Sequence, residues 1–206
     1  MTTHEVTLPL FSPMAQKPTK RYHTLVADPP WRYNSKLEGL RGATDYPTMT
    51  QEQLLSMPVG LWAENNAHLY LWTTDAFMVQ AHKIAEAWGF EVKNIVTWVK
   101  GRENAPTMGV GFYFRHATEH VLFAVRGSLS VKDHGKPNVF FAPRTTHSTK
   151  PAAFYDLVEH MSPGPYLDVF SRARRFNWDT FGNETFNEPD VLATLTPEAR
   201  EGLVSS

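Results

Sequence analysis

Short apolar runs alternate with amphipathic helical patterns along most of this chain, and that alternation restricts its fold more than any other feature. Tyr22, Leu25, Val26 and Ala27 read as a strand, followed by "AHLYLWT" (67–73), "KNIVTWV" (93–99), "EHVLFAV" (119–125), "NVFFA" (138–142), "YLDVF" (166–170) and "FNWDTFG" (176–182). Between them, "TDAFMVQAHKIAEAWGF" (74–90) places Phe77, Ala81, Ile84, Ala85 and Trp88 on one helical face, with Asp75 suited to cap it and Gly89 to stop it. "PAAFYDLVEHM" (151–161) is a second helix, with Pro151 suited to its first turn. Strands alternating with helices predict an α/β sandwich built on a largely parallel sheet. Ligands of such sheets bind beyond the carboxyl ends of the strands. Asp28 and Asp168 stand at two of those ends.

With 206 residues, 42% hydrophobic and 20% charged, the chain has the composition of one globular domain with a sizeable core. No apolar run approaches the ~20 residues that span a bilayer, and no charged-then-apolar leader opens the chain, so no membrane partner is expected. Cysteine is absent. That excludes disulfides, thiolate zinc sites and cysteine catalysis, and it fits a reducing, cytoplasmic setting. Residues 1–20, with Pro9, Pro13 and Pro18, read as an arm, 21–186 as the domain, and 187–206 as a polar tail. The connections 101–118 and 127–150 are long and rich in glycine, proline, histidine, arginine and threonine, as functional loops often are. The net charge of −1 hides an asymmetry. Residues 93–175 hold 12 Lys or Arg against 6 Asp or Glu, while the remainder is acidic. A basic half of this kind fits a polyanionic partner as well as a solvated surface.

The stretch "VADPPWRY" (26–33) carries chemistry. Asp28 ends an apolar strand, and Pro29 and Pro30, which lack N–H groups, cannot continue a ladder. The chain must leave the sheet stiffly, with carbonyls that no local N–H claims. The exocyclic amine of a nucleobase is a poor nucleophile because its lone pair is delocalised into the ring. Two acceptors on its two N–H bonds would localise that pair and aim it. Asp28 can supply one and the Pro29 carbonyl the other, with the prolines holding their spacing at little entropic cost. Trp31 is expected to be a flat floor on which a base stacks.

D-P-P-W after a strand resembles the signature of methyltransferases that act on the amino groups of nucleic-acid bases. The closer resemblance is to the N6-adenine family typified by the catalytic subunit of the eukaryotic messenger-RNA methyltransferase, which has prokaryotic and phage members. It runs from about Tyr22 to Glu184, through "YPTM" (46–49), "HLYLWTTD" (68–75), "WVK" (98–100), "GFYFRHATEH" (111–120), "HSTKP" (147–151), "LDVFSR" (167–172) and "NWDTFGNE" (177–184). It implies a Rossmann-like three-layer α/β/α sandwich with permuted motif order, the D-P-P-W strand preceding the cofactor strand. It also implies S-adenosylmethionine as cofactor and no metal. By position, Asp28, Pro29, Pro30 and Trp31 would be catalytic, and Tyr46, Arg115, His116 and Glu119 would line the substrate side. Lys150 would pair with the cofactor carboxylate, and Asp168, Arg172, Asn183 and Glu184 would lie around its ribose. "SRARRFNW" (171–178) lacks the glycine-rich turn of many permuted methyltransferases, a lack the resembled family shares.

His116 and His120 flank Glu119 in H-x-x-E-H order, a pattern also found in zinc peptidases. The peptidase pattern needs a helix, whereas here it runs into the strand "VLFAV", so the reading is against a metal. The leading expectation is an adenine N6-methyltransferase acting on nucleic acid, DNA favoured over RNA. An N4-cytosine enzyme and an inactive methyltransferase-fold subunit that binds nucleic acid follow. The expected domain leaves no room for a separate recognition module. Sequence choice must then come from the two long loops, from a second subunit (another copy of the chain or a different one), or hardly at all.

Overall fold

A computed structural model of the chain describes residues 20–32, 48–109, 113–144, 150–171 and 173–182. The expected arm up to residue 19, Tyr46, Arg172, Asn183, Glu184 and the expected tail lie outside the described residues. The strands are β1 (Tyr22–Ala27), β2 (Ala63–Thr73), β3 (Glu91–Arg102), β4 (Ala105–Pro106), β5 (Thr118–Arg126), β6 (Val139–Ala142), β7 (Tyr166–Val169) and β8 (Trp178–Phe181). The helices are α1 (Gln51–Ser56), the single turn α2 (Val59–Trp62), α3 (Met78–Ala87) and α4 (Ala152–Met161). A 3-10 turn at Asp75–Phe77 leads into α3.

All eight strands form one sheet in the order β4-β3-β5-β2-β1-β7-β8, with β6 added alongside β3. The expected largely parallel sheet is mixed. β1 runs parallel to β2 and β7, and β7 to β8, but β5 is antiparallel to both β2 and β3. The reason is local: no helix separates β3 from β5, so the chain re-enters the sheet from the end at which it left. Consequently the carboxyl ends of β1, β2, β3, β6, β7 and β8 share one rim with the amino end of β5.

Side-chain alternation splits the core into two layers. Leu25, Ala27, Leu69, Leu71, Leu122, Leu167 and Val169 face one way, where α1, α2 and α3 cover them through Leu54, Val59, Ala81, Ile84 and Ala85. Val26, Tyr70, Trp72, Val96, Trp98 and Val121 face the other way, against Phe154, Leu157 and Val158 of α4. Helices therefore lie on both faces of a mixed sheet.

The 74–90 helix is shorter than expected, and Asp75 does not cap it; its carboxylate instead reaches His116 and His120. Gly89 does stop it. At φ 84° it takes the left-handed conformation, while Phe90 N–H bonds back to the Ala85 carbonyl at 2.9 Å. The short helices α1 and α2 had no sequence signal long enough to show. α1 begins at a capping box in which Thr50 and Gln53 satisfy each other's backbone N–H groups. Arg126 ties this side together by donating to the carbonyls of Gly60 (2.6 Å), Trp88 (2.5 Å) and Gly89 (3.1 Å). The first half of the 127–150 connection is pinned to α4. Lys132 N–H bonds the Met161 carbonyl at 2.8 Å, and Asp133 pairs with His160 at 2.8 Å.

Candidate active site

The same alternation that builds the α4-side core decides which polar residues meet at the rim. Asp28 is two residues beyond Val26, Lys100 two beyond Trp98, and Glu119 two before Val121; each continues the α4-facing parity of its strand. Asp168 pairs in register with Val26, and its neighbours Leu167 and Val169 face away. Lys150 enters from the segment before α4.

These side chains close into one charged chain. Lys150 Nζ lies 3.0 Å from Asp28 Oδ2 and 3.3 Å from Glu119 Oε2. Lys100 Nζ lies 2.7 Å from Glu119 Oε1. Signs alternate along Asp28, Lys150, Glu119 and Lys100, and Asp28 is the most open member, its side chain 32% exposed against 14% for Lys150 and 11% for Lys100. Trp72 and Trp98 form the floor, with the Lys150 ammonium 4.5 Å from the Trp72 ring centroid and that of Lys100 5.5 Å from Trp98. Burial alone would push the Lys150 pKa down, but Asp28 and Glu119 outweigh it and hold it above the usual lysine range. Burial would likewise raise Glu119, yet Lys150 and Lys100 keep its carboxyl below the ordinary value.

Asp168 is different. It is 6% exposed, and burial pushes its carboxyl up to about 7, with the Asp28 charge adding to the rise. A 2.8 Å hydrogen bond from the Tyr155 hydroxyl, a bond with Ser171 and the charge of Arg175 oppose the shift without cancelling it. The Arg175 guanidinium sits 4.0 Å from the centroid of the Tyr155 ring. Directly after β7, Phe170 turns the chain at φ 68°, a conformation disfavoured for a bulky residue. Its N–H and that of Ser171 both bond the Phe181 carbonyl. An aromatic residue here makes the turn for which many methyltransferases use glycine.

Two expectations from D-P-P-W need correction. The Pro29 carbonyl is not left unclaimed, because Trp31 N–H turns back on it at 2.9 Å, and the Pro30 carbonyl accepts from Met49 N–H at 2.9 Å. A carbonyl oxygen has two lone pairs, so Pro29 retains capacity for one further donor. Trp31 is not an open floor. It is 8% exposed, belongs to the core layer on the opposite face from Asp28, and stacks on Phe77 with ring centroids 5.0 Å apart. The two-proline turn separates the pair: Asp28 continues one parity of β1 while Trp31 anchors the turn in the other layer.

His116 and His120 are close together, but both rest on Asp75, at 3.5 and 3.0 Å, and His120 also meets Thr97 Oγ1 at 3.2 Å. Their element is the approach to and start of β5, a strand, so the zinc-peptidase helix is absent. Arg115 is exposed in the β3–β5 connection, away from the ion-paired chain. Lys100 was not singled out from sequence. Its signal was the lysine ending the apolar run "IVTWVK" on the parity of Trp98. Glu119, expected on the substrate side, is held by two lysines.

The residues fit S-adenosylmethionine on chemical grounds. Its ammonium would meet Asp28, and its ribose hydroxyls would meet Asp168, whose carboxyl burial pushes up. Its carboxylate would meet Lys150. The Trp72 indole N–H, buried in the floor, has no acceptor among the described residues and is available to one.

The chain matches the MT-A70 family model over residues 22–184. It is 28% identical over 198 residues to the N(6)-adenosine-methyltransferase catalytic subunit METTL3 of Homo sapiens, an alignment covering 90% of the chain and 32% of the human protein. It is 30% identical over 199 residues to the type II methyltransferase M.MunI of a Mycoplasma species, covering 85% of the chain and 83% of that protein. To the Drosophila melanogaster N(6)-adenosine-methyltransferase MT-A70-like protein it is 26% identical over 185 residues, covering 86% of the chain and 28% of the relative. The chain thus spans about a third of the length of the animal relatives and most of the bacterial one. With 163 consecutive residues under one family model and the D-P-P-W aspartate ion-paired at the rim, the chain belongs to the MT-A70 family, whose adenine N6-methyltransferase motifs it carries.

Proposed function

We propose that this protein transfers a methyl group from S-adenosylmethionine to the N6 amine of adenine in nucleic acid. One observation carries the reading. The aspartate of D-P-P-W, the glutamate of H-x-x-E-H and the lysine of "HSTKP" come from separate parts of the chain, and Lys150 lies 3.0 Å from Asp28 and 3.3 Å from Glu119. The helices on both faces and the placement of β1 beside β7 support a Rossmann-like sandwich of permuted motif order. DNA is favoured over RNA because the type II methyltransferase M.MunI is 30% identical to the chain, against 28% for METTL3, which is named for the ribonucleoside.

Asp28 and Lys150 would hold the cofactor's amino-acid end, with Asp168, Arg172, Asn183 and Glu184 proposed at its ribose. Bound S-adenosylmethionine supplies an electrophilic sulfonium methyl. The chain's own work is positioning and electrostatics. The Asp28 carboxylate accepts an N–H of the target amine, and the spare lone pair of Pro29 accepts the other, so the amine's lone pair is aimed along the transfer axis. Lys150, held between Asp28 and Glu119, fixes the orientation of Asp28. Glu119 is fixed in turn by Lys100. The proton that the methylated amine sheds leaves toward Asp28, the most open carboxylate of the chain. Tyr46, Arg115 and His116 remain the proposed substrate contacts.

The test is incubation with tritiated S-adenosylmethionine and single- and double-stranded DNA and RNA, followed by digestion to nucleosides. Label in N6-methyladenine is the expected result. Label in N4-methylcytosine, or none in any nucleic acid with protein that binds the cofactor, overturns the reading.

A further inference from the structure

The β3–β5 connection displays side chains that the folded domain has no use for. Tyr113 is 97% exposed and Phe114 86%, side by side, with Met108 at 68% in the same connection. Adjacent aromatics left wholly in water are uncommon on a folded domain. Their support is firm. Lys100 N–H bonds the Ala117 carbonyl at 2.8 Å, and Gly109 N–H bonds the His116 carbonyl at 2.9 Å. His116 itself is braced on Asp75. The base of the connection is therefore fastened to the sheet rim while its far end carries the aromatic pair outward. Arg115 follows directly. Arg144, from the connection after β6, lies near Gly109, where a Cβ would fall 4.0 Å from its guanidinium. Both arginines are exposed, and among the described residues neither pairs with a carboxylate.

We infer that Tyr113 and Phe114 form a stacking platform for unpaired bases of a nucleic-acid strand, with Arg115 and Arg144 on its phosphates. Aromatic faces accept any base, and arginines neutralise the backbone that links the bases. No acidic residue stands between Glu103 and Glu119 to repel that backbone. Tyr113 is six residues from Glu119, so the platform lies within about 20 Å of the ion-paired chain along the backbone. That places it a few nucleotides from a base held at Asp28. Stacking needs bases out of a duplex, and bringing an adenine to Asp28 needs the same. The strand this surface takes is therefore single-stranded or locally opened. The inference rests on the proposed nucleic-acid substrate and narrows it.

The experiment measures binding of fluorescein-labelled 12-nucleotide single strands, DNA and RNA, to the full chain and to the double variant Tyr113→Ala/Phe114→Ala. A matched strand carrying abasic sites and a perfect duplex serve as controls, and methylation is measured on the same strands. The variant should bind the intact single strands at least ~10-fold more weakly. On the abasic strand and the duplex it should bind within about twofold of wild type, with cofactor affinity and melting temperature unchanged because both rings are exposed. Arg144→Ala should lower affinity for all strands alike and flatten the salt dependence. Equal binding of intact strands by variant and wild type overturns the inference, as does an equal loss on abasic strands. A wild-type dimer that the double variant abolishes in analytical ultracentrifugation, with binding intact, would make the patch a protein interface. If the stacking loss appears but wild type methylates none of the strands, the platform stands and the catalytic reading falls.

Discussion

Asp168→Asn tests the electrostatics of the rim without relying on activity. In the folded protein the Asp168 carboxyl titrates near 7, against an ordinary value of 3.8, chiefly because it is buried and secondarily because Asp28 is near. Between those values the folded chain retains a proton that the unfolded chain has shed. Stability therefore falls as pH rises through the window, the opposite of a salt-bridged aspartate. At about 1.4 kcal/mol per pH unit, the full interval corresponds to roughly 4 kcal/mol, of which about 3 kcal/mol lies between pH 5 and 8. Asparagine has nearly the same shape and can still accept from Tyr155, but it carries no charge to desolvate. In urea denaturation at pH 5, 6, 7 and 8, the variant should gain on wild type steadily as pH rises, by up to about 3 kcal/mol. Other titrating groups are common to both proteins and cancel in the difference. A gap that stays constant from pH 5 to 8 would refute the reasoning. The same proton should appear in ligand binding. Ribose hydroxyls that donate to Asp168 favour its ionised form, so S-adenosylhomocysteine, which keeps the ribose, should bind more tightly at pH 8 than at pH 6. Calorimetry in buffers of different ionisation enthalpy should show proton release.

Asp28→Ala and Asp28→Asn should each lower the rate of methyl transfer by at least ~10²-fold while the thermal unfolding midpoint stays near that of wild type, since Asp28 is a partly exposed rim residue. Full activity in a folded variant would remove the acceptor argument. Lys150→Ala should weaken S-adenosylhomocysteine more than nucleic acid, read by calorimetry and anisotropy, and an unchanged cofactor constant would leave Lys150 as an internal partner of Asp28 and Glu119 only. Lys100→Met should raise the Glu119 pKa toward or above its ordinary value by removing one of the two lysines that depress it. Carboxyl NMR titration would show this, and Lys100→Arg should restore the wild-type value. Gly60→Ala should destabilise by about 1–3 kcal/mol, because the added Cβ would fall 2.5 Å from the Trp88 carbonyl oxygen, which is backbone and cannot swing aside; a melting temperature equal to wild type would contradict the close approach.

Periodicity and turn chemistry, both local, were legible in the chain itself. Tyr22–Ala27 is a short apolar run, and two prolines end its ladder at Asp28. Ala81, Ile84 and Ala85 define the buried face of α3, and Gly89 its end. The motif string brought Asp28, Glu119, Lys150 and Asp168 under suspicion one at a time. What they touch was not legible, because a contact between residues distant in sequence depends on strand order and direction. β5 is antiparallel because no helix precedes it, and that reversal carries Glu119 to the rim where β1 and β3 end. Only then does Lys150 lie between Asp28 and Glu119, and only then does Lys100, ordinary in sequence, become the fourth member. Trp31 shows the converse. Its place in D-P-P-W suggested a surface for a base, but three residues of stiff turn rotate it into the opposite layer against Phe77. Local chemistry named the groups; the parity of each strand and the direction of β5 decided which of them share a face.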